Sequence, residues 1–309
     1  MSENNKQQSN DLDRRELLKG LATVPVFGLF LSQLWRKIRR DTLKKSNILS
    51  GLVQEKSAPA IIKGLSDSKH LNIGIIGYGG RGGHLVRGAG FATTGWTTTV
   101  AENARKNKLD KQFKTFMDQE DLNCSLVGVC DLFDVRAEQG LDASQNEVRP
   151  GGKPKKTATR YRHYKDLLAN DDIDAVIIAT PDHWHSRITI DAAKAGKHVY
   201  CEKGLTRTFE ETIKVYDVVK ETGITFQLGH QNRQVEANEK ARQIVQQGLL
   251  GTINLVELTT NRNSPWGAWV WDIHPKGNAQ TIDWDTFQEP APNKIPFGEE
   301  ALKRFFRWR

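Results

Sequence analysis

Leu71-Asn72-Ile73-Gly74-Ile75-Ile76-Gly77-Tyr78-Gly79-Gly80-Arg81-Gly82 is the stretch on which the fold of this chain turns. Its first half is a short, isoleucine-rich apolar run, as a buried strand requires. Its second half matches G-x-G-x-x-G and leads into a segment of helical character. Each glycine then has a physical reason. Gly77 permits the tight turn, Gly79 lets backbone approach a pyrophosphate, and Gly82 lets the helix pack closely on the strand. The helix mouth at Gly80 adds free amides and the positive end of the dipole, which suit phosphate. Glycine clusters also mark ordinary turns, but a strand before and a helix after select the dinucleotide-binding reading.

Downstream, apolar runs alternate with amphipathic ones. Ser125 to Asp131, Asp174 to Ala179, Lys197 to Glu202 and Ile224 to Leu228 read as strands. The run Ala175-Val176-Ile177-Ile178 is apolar throughout, as a parallel strand covered on both faces must be. One helix is expected from about Ser186 to Ala195, stopped by Gly196. The next starts at Thr208 with Glu211 completing a capping box, Phe209, Ile213 and Tyr216 as its inner face, and Gly223 as its stop. Such alternation predicts an α/β fold, a doubly wound parallel sheet of the Rossmann type.

A second acidic element is needed for ribose. Asp131 ends its strand and fits, and the alternative is that it only caps the helix that follows, Phe133 to about Ala143. It lies 54 residues past Gly77, against a usual spacing of about 20. The excess falls at about residues 93–123, a polar stretch read as a surface insertion. A carboxylate there repels a 2′-phosphate, so NAD is expected as cofactor over NADP. At the ends of the later strands stand Thr180-Pro181-Asp182-His183-Trp184-His185 and Cys201-Glu202-Lys203-Gly204, where open α/β sheets place their ligands. A lysine in such a place can carry a proton once desolvated, or it can be a surface residue.

The formal charge of +8 invites a nucleic-acid reading, but ten Lys/Arg against five Asp/Glu in residues 1–45 account for +5 of it. The basic run Arg149 to Lys165 (Lys153, Lys155, Lys156, Arg160, Arg162) sits in a Pro/Gly-rich stretch and reads as a solvated loop. No nucleic-acid reading motif accompanies it. Cys124, Cys130 and Cys201 have no metal-ligand spacing, and no metal is expected.

Residues 1–40 read as an address. Arg14-Arg15 precede an apolar run from Leu21 to Trp35, the layout of a twin-arginine export signal. The run is short for a spanning helix and is followed by Arg36-Lys37-Ile38-Arg39-Arg40 with no Ala-x-Ala site. Export to the periplasm, or membrane attachment through the N-terminus, is expected over a cytoplasmic location. Residues 41–70 read as a linker, 71–205 as the Rossmann domain, and 206–250 as its end and connection. Thr252 to Thr260 alternates like a half-buried strand, and Trp266, Trp269, Trp271 and Trp284 follow. Residues 251–309 are therefore expected to begin a mostly antiparallel α+β substrate domain, incomplete here.

Gly77 to Gly82, Thr180-Pro181 with His185, and Gly196-Lys197-His198-Val199 leading to Glu202-Lys203 closely resemble the Gfo/Idh/MocA family, over roughly Asn72 to Thr260. Glucose–fructose oxidoreductases and inositol dehydrogenases belong to it. The resemblance implies hydride transfer between nicotinamide and a sugar or cyclitol hydroxyl carbon. It implies that Lys203 assists proton transfer beside the nicotinamide, with His185 near the same site. Glu202 would steady the cofactor, and Thr180 and Pro181 would shape its pocket. It also implies assembly as a homo-oligomer and export, since paired arginines occur on exported members. Two departures stand out. Gly204 replaces the proline of the family's Glu-Lys-Pro, and no Asp and His four apart on a helix are found. Asp272 and His274 lie two apart beside Pro275, and the family's place for that pair is past Arg309.

Two other readings compete with the oxidoreductase. One is a glycosidase that oxidises and re-reduces its sugar through bound NAD, told apart by sugar release without net NADH. The other is a non-catalytic NAD-binding module. Asn232, Arg233 and the tryptophans from Trp266 to Trp271 are the candidates for a substrate pocket.

Overall fold

The computed structural model describes residues 34–39, 70–231, 233, 235–248, 250–259 and 270–307. The chain divides into units Met1–Gly64 and Leu65–Arg309. In the first, residues 34–39 are a short exposed helix. None of the described helices is long and apolar enough to cross a membrane. The paired arginines and the apolar run up to Ser32 lie outside the described residues, as do Asn232, Trp266 and Trp269.

In the second unit, β1 (Leu71–Ile76), β2 (Cys124–Cys130), β3 (Thr159–Tyr161), β4 (Ala175–Ile178), β5 (His198–Glu202) and β6 (Phe226–Gly229) form one sheet. Their order is β3-β2-β1-β4-β5-β6 and every pairing is parallel. This is the doubly wound order of dinucleotide-binding folds, with the chain reversing direction across the sheet between β1 and β4. Neighbouring side chains on a strand point to opposite faces. Ile75 accordingly enters one core with Val86 and Phe91, and Ile76 the other with Trp184 and Ile188. In β2 the alternation is broken by an extra residue where the register to Ile73 and Gly74 shifts, so Leu126 and Val129 share the first core and Val127 and Cys130 the second. All seven residues of β2 are buried, so helices cover both sides. The three cysteines are buried in β2 and β5 and act as small apolar groups.

The connections match the reading with instructive shifts. The long gap before β2 holds α1 (Gly80–Gly88), α2 (Thr94–Lys106) and α3 (Gln112–Met117). The Trp96 ring meets Phe116 edge-on at 5.2 Å, so the expected insertion carries a small packing contact of its own. The helix α4 (Asp134–Gln145) follows β2. The stretch expected as a solvated loop instead contributes β3 and then α5 (Tyr164–Leu168). Arg149 at its start is buried, its guanidinium 4.2 Å from the Phe91 ring centroid. A cation stacked on an aromatic face can be buried where a bare one cannot.

Helix α6 (Asp182–Lys194) starts four residues earlier than expected, because Asp182 supplies the negative charge its first turn favours. Helix α7 (Phe209–Thr222) has the expected ends: the Thr208 hydroxyl accepts from the Glu211 amide at 3.2 Å, and Gly223 closes it with φ of +65°. Its inner face is corrected. Val215 is the buried residue, while Phe209 and Tyr216 are exposed, since the stripe through Val215 rather than that through Phe209 is turned inward. Helix α8 (Glu236–Gln246) follows β6.

Residues 252–259 form no strand: Leu255, Val256 and Leu258 are exposed and pair with no neighbour among the described residues. Alternating residues make a strand only where another strand offers hydrogen bonds. Residues 270–307, with α9 (Trp284–Phe287) and α10 (Glu299–Phe306), pack on the Rossmann unit through a third core of Phe133, Ile282, Trp284, Phe287, Phe305 and Phe306. Phe133 and Ile282 form an antiparallel bridge beyond the end of β2. Trp284 is thus part of the core.

Candidate functional site

The carboxyl ends of β1, β2, β4 and β5 open into a cleft of about 790 Å³. Its floor is the turn Gly77–Gly82, and the geometry separates the roles of the glycines. Gly77 has φ of +90°, and a Cβ there would stand 2.8 Å from the Ala179 carbonyl at the end of β4. A Cβ on Gly82 would stand 2.0 Å from the Gly77 carbonyl oxygen. These two are demanded by the fold itself. Gly79 would meet only the Arg136 guanidinium at 3.6 Å, and Gly80 nothing within 4 Å. Both face open cleft, the space a phosphate group needs above such a turn. Helix α1 has no side-chain cap and no acid in its first turn. Its earliest amides therefore remain available to an anion.

On the β2 side, Asp131 is buried and closes on the turn. One carboxylate oxygen accepts the Tyr78 amide at 2.6 Å and the other the Phe133 amide at 2.8 Å. It therefore holds the glycine turn and also steadies the entry to α4, which is the capping alternative for this residue. Burial pushes its pKa above the usual 3.8, against the opposing pull of Arg136 and the two amides. Each oxygen keeps a second lone pair, so a diol could still donate to it.

On the β5 side, Glu202 is buried and accepts from Arg81 Nε at 2.7 Å and from the Tyr200 hydroxyl at 3.2 Å. Arg81, inside the glycine motif, was not among the expected site residues. Nothing in the sequence marks it as the partner of a glutamate 121 positions on. Lys203 lines the cleft and is half-buried. The Lys203–Gly204 peptide bond is cis. Thr180 and Pro181 line the cleft from the end of β4, and the Thr180 hydroxyl is buried with no hydrogen-bond partner among the described residues.

His185 was expected among the catalytic groups, and the geometry gives it another task. The ring is 1% exposed, with Nε2 at 2.7 Å from the Thr180 carbonyl and Nδ1 at 2.8 Å from the Gly204 carbonyl. Both nitrogens are taken by main chain, so the ring braces the turn after β4 against the loop after β5. Burial lowers its pKa below the usual 6.5, despite the two carbonyls. A neutral ring donates to only one of them.

The far wall comes from residues the motifs did not flag. Trp271, His274, Phe305 and Arg307 line it, and Arg307 Nε donates to the Trp271 carbonyl at 2.8 Å. Trp271 is the described member of the expected aromatic pocket and does face the cleft, while Arg233 is exposed and does not line it. His274 stands edge-on to Phe133 at 5.3 Å, on the β2 side.

Comparison with known proteins finds relatives of the Rossmann unit. The model of the Gfo/Idh/MocA oxidoreductase family, with its NAD-binding Rossmann fold, matches residues 71–230. An uncharacterized oxidoreductase, YrbE, of Bacillus subtilis is 35% identical over 102 residues, 33% of this chain and 30% of that protein. Levoglucosan dehydrogenase of Pseudarthrobacter phenanthrenivorans is 40% identical over 90 residues, 29% of this chain and 23% of that protein. The crystal structure of myo-inositol 2-dehydrogenase from Lactobacillus plantarum aligns with a TM-score of 0.44 at 26% identity, covering 60% of this chain and 43% of that one. The chain thus spans under a third of the length of each of these two relatives.

Proposed function

Because the chain belongs to the Gfo/Idh/MocA oxidoreductase family, we propose that its cleft holds NAD and serves hydride transfer between nicotinamide and a hydroxyl-bearing carbon of a sugar or cyclitol. The observation that carries this reading is the glycine turn open above Gly79 and Gly80 in the cleft, with the buried Thr180 hydroxyl nearby lacking a partner among the described residues. A buried polar group without a partner costs about 1–3 kcal/mol, which a polar group of a bound ligand would recover. The residues present fit a dinucleotide. Gly77, Gly79, Gly80 and Gly82 shape the phosphate turn, and Asp131 offers acceptors to a ribose diol. Thr180 and Pro181 bound the reacting end.

When bound, the nicotinamide supplies the two-electron acceptor. The chain's own part is to position and to move a proton. Glu202, fixed by Arg81, sets the end of β5, and Lys203 next to it, acting as the neutral amine, receives the substrate hydroxyl proton at Nζ to become the ammonium. His185 holds the two flanking turns at a fixed separation. Asp131 disfavours a 2′-phosphate by charge repulsion, which supports NAD over NADP. The levoglucosan dehydrogenase relative supports a sugar-like substrate. Arg14-Arg15 before the apolar run supports export by the twin-arginine route.

The test is NAD titration followed by assay of NADH formation over a panel of sugars and cyclitols. Lys203→Met is expected to lower turnover by about 10²- to 10⁴-fold, the usual share of a proton-transfer group, with NAD affinity near that of the parent. Sugar release without net NADH would favour the glycosidase reading instead. Turnover unchanged in Lys203→Met would remove the lysine from the mechanism.

A further inference from the structure

We infer that Arg136 is a phosphate-binding residue of the cleft, held there by an aromatic cage to which residues 270–307 contribute two of three rings. The inference rests on the dinucleotide reading above.

Arg136 sits in the first turn of α4, five residues after Asp131, and lines the cleft. Its guanidinium lies 5.9 Å from the Phe133 ring centroid, 5.9 Å from Phe305 and 5.6 Å from Phe306. One of its terminal nitrogens is the atom nearest to where a Gly79 side chain would begin, at 3.6 Å. The cation thus stands over the glycine at which a pyrophosphate approaches the backbone.

The neighbouring arginines are committed elsewhere. Arg160 and Arg162 both pair with Asp134, and Arg81 pairs with Glu202. Arg136 has no carboxylate within ion-pair distance among the described residues. Asp131 feels its charge, but that carboxylate's oxygens already accept two amides. Aromatic faces favour a cation without neutralising it. They also strip water from the guanidinium, so its N–H edge would bind an anion more strongly than on an open surface. A planar fork of donors of this kind suits phosphate oxygens.

Phosphate could come from the pyrophosphate or from a 2′-phosphate, and the position over Gly79 favours the first. The experiment titrates NAD and NADP into the full chain by calorimetry at several salt concentrations. Arg136→Gln is expected to weaken NAD binding about ten- to a hundredfold, as for a lost charged hydrogen bond, and to flatten the salt dependence. Arg136→Lys keeps the charge and should recover part of the loss, which separates charge from misfolding. Arg162→Gln, on the same side but paired with Asp134, should bind as the parent does. A loss shared by NAD and NADP assigns the pyrophosphate, and a loss confined to NADP assigns the 2′-phosphate; both uphold a phosphate contact. Phe305→Leu should weaken NAD severalfold and leave the salt dependence intact; no change there would remove the segment 270–307 from the site. Parent-like affinity and salt dependence in Arg136→Gln would overturn the inference. If the parent chain binds neither dinucleotide, the cofactor reading itself falls.

Discussion

Asp131 and Glu202 hold the same glycine turn from its two sides, yet they hold it by different means. Asp131, at the end of β2, accepts two main-chain amides, Tyr78 and Phe133. Glu202, at the end of β5, accepts from two side chains, Arg81 and Tyr200. A main-chain donor is present whatever residue occupies the position, so the β2 side depends only on the acid and on backbone shape. The β5 side depends on three particular side chains. It is therefore the side where a substitution can retune the site without unfolding it, and it carries Lys203.

The comparison breaks altogether if the shared turn is destroyed. In Gly82→Val a Cβ would have to stand 2.0 Å from the Gly77 carbonyl oxygen, which backbone cannot yield cheaply. A loss of about 3 kcal/mol or more is expected, the upper range of overpacking, read as a lowered urea midpoint. Gly80→Ala, two residues away with nothing within 4 Å, should be neutral or slightly stabilising. Equal effects from the two would show that the turn is not built as described.

The next largest effect separates the two acids. Asp131→Ala leaves two buried amides without acceptors and should cost about 2 kcal/mol net of the buried charge it removes. Glu202→Gln keeps an oxygen for Arg81 and Tyr200 and loses only the charge. Arg81 is 28% exposed in its side chain, so screening holds the cost to about 1 kcal/mol or less. Chemical denaturation of both variants gives the order directly. A larger loss in Glu202→Gln would invert the account of which side is the rigid one.

The same contrast governs what could be read from sequence. The sheet, the glycine turn and Asp131 were legible because they follow from periodicity and main-chain geometry, which spacing encodes. β3 was not, because three residues at a sheet edge carry no period to detect. The inner face of α7 was misread because several apolar residues lie around that helix and only packing selects Val215. The stretch 252–259 has the pattern of a strand without a partner to pair with among the described residues. Arg81 and Arg136 escaped notice because a charge partner 121 residues distant, or a ring from α10, leaves no local signal. His185 was placed in the right neighbourhood by motif, but only coordinates show both ring nitrogens occupied.

The smallest expected effect concerns pH, and it tests whether His185 is a brace. Burial lowers its pKa in the folded chain below the 6.5 of an unfolded one. Between those two values the unfolded chain binds more protons than the folded chain. Stability therefore rises with pH across that window, and is lost as pH falls below about 6.5. His183 and His84 are shifted in the same direction, also chiefly by burial, and add to the slope. His185→Gln removes one of the three contributions, so denaturation curves collected from pH 7.5 down to about 5 should show a shallower fall, not a flat one. The variant should also be less stable at every pH, because the Thr180 and Gly204 carbonyls lose their shared ring. An unchanged slope would mean that His185 titrates as it does in the unfolded chain, the two carbonyls that favour its charged form then offsetting the burial that disfavours it.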